Sequence, residues 1–440
     1  MKNGGMMSTR RRMLQSAVFG AGLVGLKSLA TGLPIAWFRG GVLHAAEAAP
    51  PNFLILSTVN SGDPFNANVP GAFVPGTEHS PDPGLAPTTV TLGSVSAVGA
   101  QRWSLLPDDL RSRMSFIHHR TYSNAHPDYG KVQGLMGAAK AQTGNGQEMI
   151  ASLFAQENTT PLATIQTEPV PLGNELITYQ SRPLANLRPL DLKSLFASPQ
   201  DLAAKLQKLR DDELDTMYAV LKVSGTRYQR SFLDRYALGR EQARTLGDGL
   251  GALLTRLPLD PKAQNSPADQ LLSAVALIRM KVTPAVTVHL PFGGDNHNDA
   301  TLTDEAAQSI SSIGNIEFLW NELKAAGLQD QVTFAVLNVF GRTLKRNTRG
   351  GRDHNGNHHA MMMFGPKIRG SVIGGIAADG RDFSSTAINS QTGASAPDGD
   401  IQPLESLEAT AKTLGAALGI SNDVLQHRIQ NGKVISAALT

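Results

Sequence analysis

The chain has 440 residues, 40 of them Lys or Arg and 37 Asp or Glu, with a formal net charge of +3 and no cysteine. That length can supply its own core without covalent staples, and the lack of thiols excludes a disulfide framework, thiolate metal sites, cysteine nucleophiles, haem attachment and iron–sulfur clusters. Six of the basic residues (Lys2, Arg10, Arg11, Arg12, Lys27, Arg39) precede Ala49 with only Glu47 against them, so the remainder is near-neutral and offers no surface for nucleic acid.

The opening segment reads as an address. Thr9-Arg10-Arg11-Arg12-Met13-Leu14, followed by mostly apolar residues from Ala17 to Phe38, has the pattern of a twin-arginine signal for export of a folded protein. Ala46-Glu47-Ala48 offers a small-x-small cleavage site, so residues 1–48 are read as the signal and the working protein as beginning near Ala49. Retention as an N-terminal anchor is the alternative. Lys27 within the segment and Arg39 after it suit a signal better than a stable span, and cleavage leaves no transmembrane span. The expected partner is the twin-arginine export machinery, and the expected location is periplasmic or secreted. Export in the folded state also suits a protein that takes up a cofactor before it leaves the cytoplasm.

Beyond the signal, strand-like and helix-like segments alternate. Phe53–Val59 is a buried-strand pattern stopped by Asn60-Ser61-Gly62-Asp63, and residues 70–99, rich in Pro, Gly, Ser and Thr, read as a long surface loop. Ser115–His118 predicts a second strand, and His126-Pro127-Asp128 predicts the start of a helix to about Ala139. Residues from about 199 to 281 are dominated by helix formers, with Leu202, Leu206 and Leu209 on one face, and read as a helical insertion covering the sheet's carboxyl edge. The alternation then resumes: a strand at Ala285–Leu290, a helix from Asp304 to Ala326 stopped by Gly327, strands at Val332–Leu337 and Ala360–Phe364, and a last helix from Pro403 to Leu418 closed by Gly419. Strands alternating with helices predict an α/β fold: a mostly parallel central sheet with helices on both faces, in one domain spanning residues 49–440.

In such a sheet, ligands gather where the strands end. Asp63 follows the first strand, then His118, His119, Ser123, Asn124 and His126 the second, Asp295 and His297 the third and Asn338 the fourth, while Asp353, His354, His358 and His359 precede the fifth. Asp63 is equally readable as a turn residue, His289 reads as a core histidine, and only one of His118 and His119 can face the site if both lie in the strand. The run from Asp353 to His359 holds three imidazoles and a carboxylate within seven residues, the donor mixture that a divalent ion such as zinc favours.

Gly293-Gly294-Asp295-Asn296-His297, Asn338-Val339-Phe340-Gly341-Arg342-Thr343 and Gly351-Arg352-Asp353-His354, in this order, resemble an exported bacterial family filed as domain of unknown function 1501. The Gly62-Asp63 turn with Asn66 and Pro70, and the terminal helix, are similar to that family's ends. The family in turn resembles the alkaline phosphatase and sulfatase superfamily, which implies an alkaline phosphatase-like fold and metal-ligand candidates at Asp63, Asp295, His297, Asp353 and His354, with His358 or His359 as a further one. It also implies a nucleophile after the second strand, here Thr121 or Ser123, and gives Arg342 the role of neutralising an oxyanion. The chain departs from the pattern at Val339, where the family has Glu, and in lacking the Trp of that family's Gly-Trp-Asp-Thr-His run. The resemblance implies a metal-dependent hydrolase acting on a phosphate or sulfate ester of a small molecule or glycan. A binding or envelope-assembly protein on the same fold is the rival reading.

Overall fold

Phe53–Val59 carries a near-continuous apolar run, which is stable as a strand only where both faces are covered, and all seven of its residues are buried. This segment is β1 in the computed structural model, which describes residues 52–59, 61–128, 132, 149–158, 168–173, 177–180, 182–196, 202–227, 229, 230, 233, 234 and 265–440. The expected signal at 1–48 lies outside the described residues. So do residues 235–264 of the expected insertion and nearly all of the helix predicted after His126, of which one 3₁₀ turn at His126–Asp128 is described.

Six further strands complete the main sheet: β2 (Met114–His119), β3 (Val170–Pro171), β4 (Ala285–Val288), β5 (Val332–Asn338), β6 (His359–Phe364) and β7 (Ser371–Ile373). Their order is β7-β2-β6-β5-β1-β4-β3. β1 pairs parallel with β4 and β5, β3 with β4 and β7 with β2, whereas β6 runs antiparallel to both β2 and β5. The one reversed strand decides where the chemistry lies: β6 starts at the edge where β1, β2, β4 and β5 end. The segment before it therefore reaches the same edge as the loops that follow the other strands.

Alternate β1 residues feed two cores. Phe53 and Ile55 pack with Leu271 and Leu277 of helix Pro267–Arg279 and with Ile313, Ile316 and Trp320 of helix Thr303–Ala325. Leu54 and Leu56 pack with Leu153 of helix Ile150–Glu157 and with Leu407 and Leu414 of helix Ser406–Ala417. Both faces are covered, as the α/β reading requires, and full burial of each such apolar side chain stabilises by roughly 1.5–3 kcal/mol.

Two expectations change. Residues 70–99 are not one surface loop, because Pro87–Leu92 and Val95–Ala100 form an antiparallel hairpin about Gly93-Ser94, with Gly93 at φ +61 and with Val90 and Leu92 buried in the first core. Thr at alternate positions satisfies a half-buried strand as well as it satisfies a loop. The last part of the expected insertion, Pro267–Arg279, covers a face of the sheet and not its edge, started by Ser266 accepting from the Asp269 amide with Pro267 in the first turn. Helix Leu202–Ser224, within the same block, leaves Leu209 at 60% and Val223 at 87% exposure, so Leu209 does not belong to a buried apolar face.

Candidate metal centre

The turn after β1 is built for close packing. Gly62 has φ +64, and a Cβ there would lie 1.9 Å from Cε2 of Phe340, so only glycine lets the chain turn beneath that ring. Asp63 follows it, fully buried. Its Oδ1 accepts from the Phe65 amide at 3.2 Å and from Asn338 Nδ2 at 2.6 Å, and its Oδ2 accepts from the Phe292 amide at 3.2 Å. Burial outweighs these donors and pushes the Asp63 carboxyl up to about 7. Asp63 thus ties the ends of β1, β4 and β5 together, and both of its oxygens already serve that purpose.

Arg342 is the hub of the rim. It lies in a two-residue strand, Gly341–Arg342, paired antiparallel with His354–Asn355 so that Arg342 stands opposite His354. Its side chain has no exposed surface, and its guanidinium donates to the carbonyls of Gly62 and Ser61, to Asp295 Oδ1 at 2.8 Å and to His297 Nε2 at 3.2 Å. An arginine only donates, so Nε2 of a neutral His297 accepts and its Nδ1–H donates to Asp353 Oδ1 at 3.0 Å. His297 is therefore engaged at both nitrogens. The expected role of Arg342 toward a departing oxyanion does not fit its burial, because each of its donors faces protein.

Three donors remain together. Among the described residues, His126, Asp295 and His354 form a group whose ligand atoms lie within 4.8 Å of one another. His126 Nε2 stands 3.7 Å from Asp295 Oδ2. His354 donates from Nδ1 to the Asn124 carbonyl, which fixes its tautomer and leaves Nε2 as the lone-pair nitrogen; that atom is buried and has no hydrogen-bond partner. Burial first, then the nearby Arg342, His297 and His126, lower the His354 pKa and keep the ring neutral. Burial works against ionisation of Asp295, but Arg342, His297 and His126 together hold its carboxyl below the usual range. Two imidazoles and a carboxylate, with the His354 Nε2 buried and unsatisfied, fit a divalent ion. Asp353 stands just outside, held ionised by Asn347 at 3.0 Å and by His297.

The other predicted residues lie elsewhere. His358 is fully buried, with Nε2 against His118 Nδ1 at 2.9 Å and Nδ1 receiving Asn66 Nδ2 at 3.1 Å, while His118 Nε2 meets the Pro70 carbonyl at 2.9 Å. Hydrogen bonds thus occupy both nitrogens of His118 and His358, so His358 has no lone pair to offer an ion. His359 sits opposite His119 in the β6–β2 register, both fully buried, with ring centroids 5.4 Å apart. Burial lowers His118 and His119 to about 4 and holds His358 and His359 well below the ordinary value. Thr121 Oγ1 donates to the Ser123 carbonyl at 3.0 Å and the Gly356 carbonyl at 3.2 Å; Ser123 Oγ donates to Asp128 Oδ2 at 2.6 Å and accepts from the Ala125 amide at 2.9 Å. Both hydroxyls staple the loop that carries Asn124 and His126. His126 opens the 3₁₀ turn His126–Asp128 in that same loop, and its place after β2 is the signal that marks it.

Residues 192–392, which include Asp295, His297, Arg342, Asp353 and His354, match the family model described as protein of unknown function (DUF1501). The resemblance read from the motifs therefore holds over that stretch. No curated protein matches the chain. Among solved structures, the chain is similar to Ps i-CgsB in complex with k-i-k-neocarrahexaose, at 13% identity over 88% of this chain and 75% of that one, with a TM-score of 0.36. It is also similar to the alkaline phosphatase from the Antarctic bacterium TAB5, at 9% identity over 74% of this chain and 94% of that one, with a TM-score of 0.29. Overlaps this loose bear on neither activity nor substrate. The sheet order and strand directions define the molecule as an α/β protein with a mostly parallel seven-stranded sheet.

Proposed function

We propose that this chain is a metal-dependent hydrolase of phosphate or sulfate esters, exported by the twin-arginine route to the periplasm or beyond. The observation that carries the reading is the convergence of His126, Asp295 and His354 at the edge where the strands end, with His354 Nε2 buried and unpartnered. A divalent ion such as zinc, when bound there, supplies Lewis-acid polarisation of an ester oxygen. The chain's own residues prepare the place: the Asn124 carbonyl fixes the His354 tautomer, and Arg342 keeps Asp295 ionised and aimed. Arg349, at 56% side-chain exposure and 3.7 Å from Asp353, is the cation that meets an anionic ester at the rim in place of Arg342.

The loop-bound hydroxyls of Thr121 and Ser123, and Val339 where the family has Glu, favour the second reading, a binding or envelope-assembly protein on the same fold. Elemental analysis of the purified protein, joined to phosphate- and sulfate-ester assays with added zinc or manganese, separates the two. Stoichiometric metal with turnover supports the hydrolase; metal without turnover supports the binding protein; no metal uptake removes the first reading. Export is tested by changing Arg10, Arg11 and Arg12 together to Lys, which should leave the protein in the cytoplasm. Normal accumulation outside the cytoplasm would contradict it. Among the described residues no helix is long and apolar enough to cross a membrane.

A further inference from the structure

The two loops that bring Asp295, His297, Asp353 and His354 together are joined beneath the rim by groups that do not face it. Glu305, in the first turn of helix Thr303–Ala325, and Arg352 form an ion pair with no exposed surface on either side chain. The contact is a two-pronged fork: Arg352 Nε donates to Glu305 Oε2 at 2.7 Å and Nη2 to Oε1 at 3.0 Å. The carboxylate takes two further donors, Asn296 Nδ2 on Oε2 at 2.9 Å and Asn68 Nδ2 on Oε1 at 2.9 Å. Asn296 lies between Asp295 and His297, and Arg352 immediately precedes Asp353. One carboxylate therefore grips a neighbour of each donor pair.

The backbone repeats the junction. The Arg352 amide donates to the Asn296 carbonyl at 3.3 Å, and a Cβ at Gly351 would lie 2.1 Å from that same oxygen, so the loops touch main chain to main chain. Arg352 Nη1 also donates to the Thr343 carbonyl at 2.8 Å, which connects the clamp to the segment that follows Arg342. A buried ion pair gains little over well-packed apolar side chains in stability alone. What it does supply is direction, with each bond fixing the orientation of one loop against the other.

We propose that Glu305 and Arg352 are positioning residues for the metal centre: their fork and the Asn296 bond hold the 295–297 and 353–354 segments in the one register at which His297 bonds Asp353 and His354 meets Asp295. The inference rests on the proposed function for its metal, but the register itself can be read without one. The test uses the full chain in four forms: wild type, Glu305→Leu, the double variant Glu305→Leu/Arg352→Met, and Asn296→Ala, which cuts only one strap and leaves the ion pair in place. Each is titrated with zinc by calorimetry, melted, and examined by ¹⁵N NMR of its histidines for the tautomer of His297.

The double variant should melt well above Glu305→Leu alone, since no charge is left buried without its partner. Zinc affinity should nevertheless fall roughly 10–100-fold, the range seen when outer partners of metal ligands are lost, and Asn296→Ala should shift it the same way by less. His297 should lose its single Nδ1–H tautomer in the double variant. A merely structural pair would let melting, affinity and tautomer recover together; that result, or unchanged affinity and tautomer in both the double variant and Asn296→Ala, overturns the proposal. Should the wild type take no zinc, the hydrolase reading fails while the His297 tautomer still decides the clamp, retained meaning refuted and lost meaning supported.

Discussion

Two sets of histidines occupy the same edge of one sheet and have opposite chemistry. At the rim, His126 and His354 keep some access to solvent and stand beside ionised Asp295, and His354 leaves its lone-pair Nε2 unpartnered. A short distance along the chain, His118, His119, His358 and His359 are fully buried, form no donor group with a carboxylate among the described residues, and are held neutral by burial. Residue type does not distinguish the sets. Exposure and a neighbouring carboxylate do: His119 Nε2 and both nitrogens of His359 also lack hydrogen-bond partners, but among the described residues only the rim pair forms a donor group with a carboxylate.

The comparison breaks most visibly with pH. His79, His118 and His119 each fall to about 4 in the folded chain, from an ordinary value of 6.5, because they are buried. The unfolded chain binds more protons than the folded one between those values, so the stability they contribute is present above 6.5 and is lost as pH falls toward 4. Asp63, raised to about 7, has the opposite sign: its contribution declines as pH rises from the ordinary carboxylate value to 7. The histidines outnumber it, and we predict steep acid unfolding between pH 6 and 4, with a net slope on the order of 3 kcal/mol per pH unit. Circular dichroism against pH at fixed urea checks this; a flat profile down to pH 4 would show the deep histidines to be accessible.

Deep and rim substitutions should separate next. His358→Ala removes a ring bonded at both nitrogens and leaves a cavity, so it should cost about 2–5 kcal/mol while metal uptake is retained by the folded fraction. His354→Ala should change stability by no more than about 1 kcal/mol, in line with a partly exposed site, and lower metal affinity at least tenfold. Urea unfolding and zinc titration on the same samples distinguish the two, and exchanged outcomes would reverse their assignments. The smallest expected effect belongs to Arg349→Ala, which should raise KM for an anionic ester about threefold to tenfold with kcat little changed, since exposed charge pairs contribute ~1 kcal/mol.

The sequence displayed the sheet more clearly than the site. Runs such as Phe53–Val59 and Val332–Asn338 have the continuous apolar character that only a doubly covered strand tolerates, and both are strands. The hairpin at residues 87–100 was obscured because Thr and Ser suit loops and half-buried strands alike. Pro267–Arg279 has a helical pattern that fits an insertion or a sheet-covering layer equally well, and the choice is made by its packing against β4 and its neighbouring helix. The motifs located Asp295, His297, Asp353 and His354 at one edge, but the roles depended on partners far away in sequence. Asp63 is spent on Asn338, 275 positions away, and His358 on His118, 240 positions away. His126, close to none of those motifs, is supplied by the β2 loop.

The central claim is that an ion is held by the rim set and not by the deep set. Zinc titration of the wild type, His354→Ala and His358→Ala, with bound metal measured after desalting, tests it most directly. The account predicts one ion per chain in the wild type and in folded His358→Ala, and strongly reduced metal in His354→Ala. Metal kept by His354→Ala and lost from folded His358→Ala would place the ion among the buried histidines and contradict it.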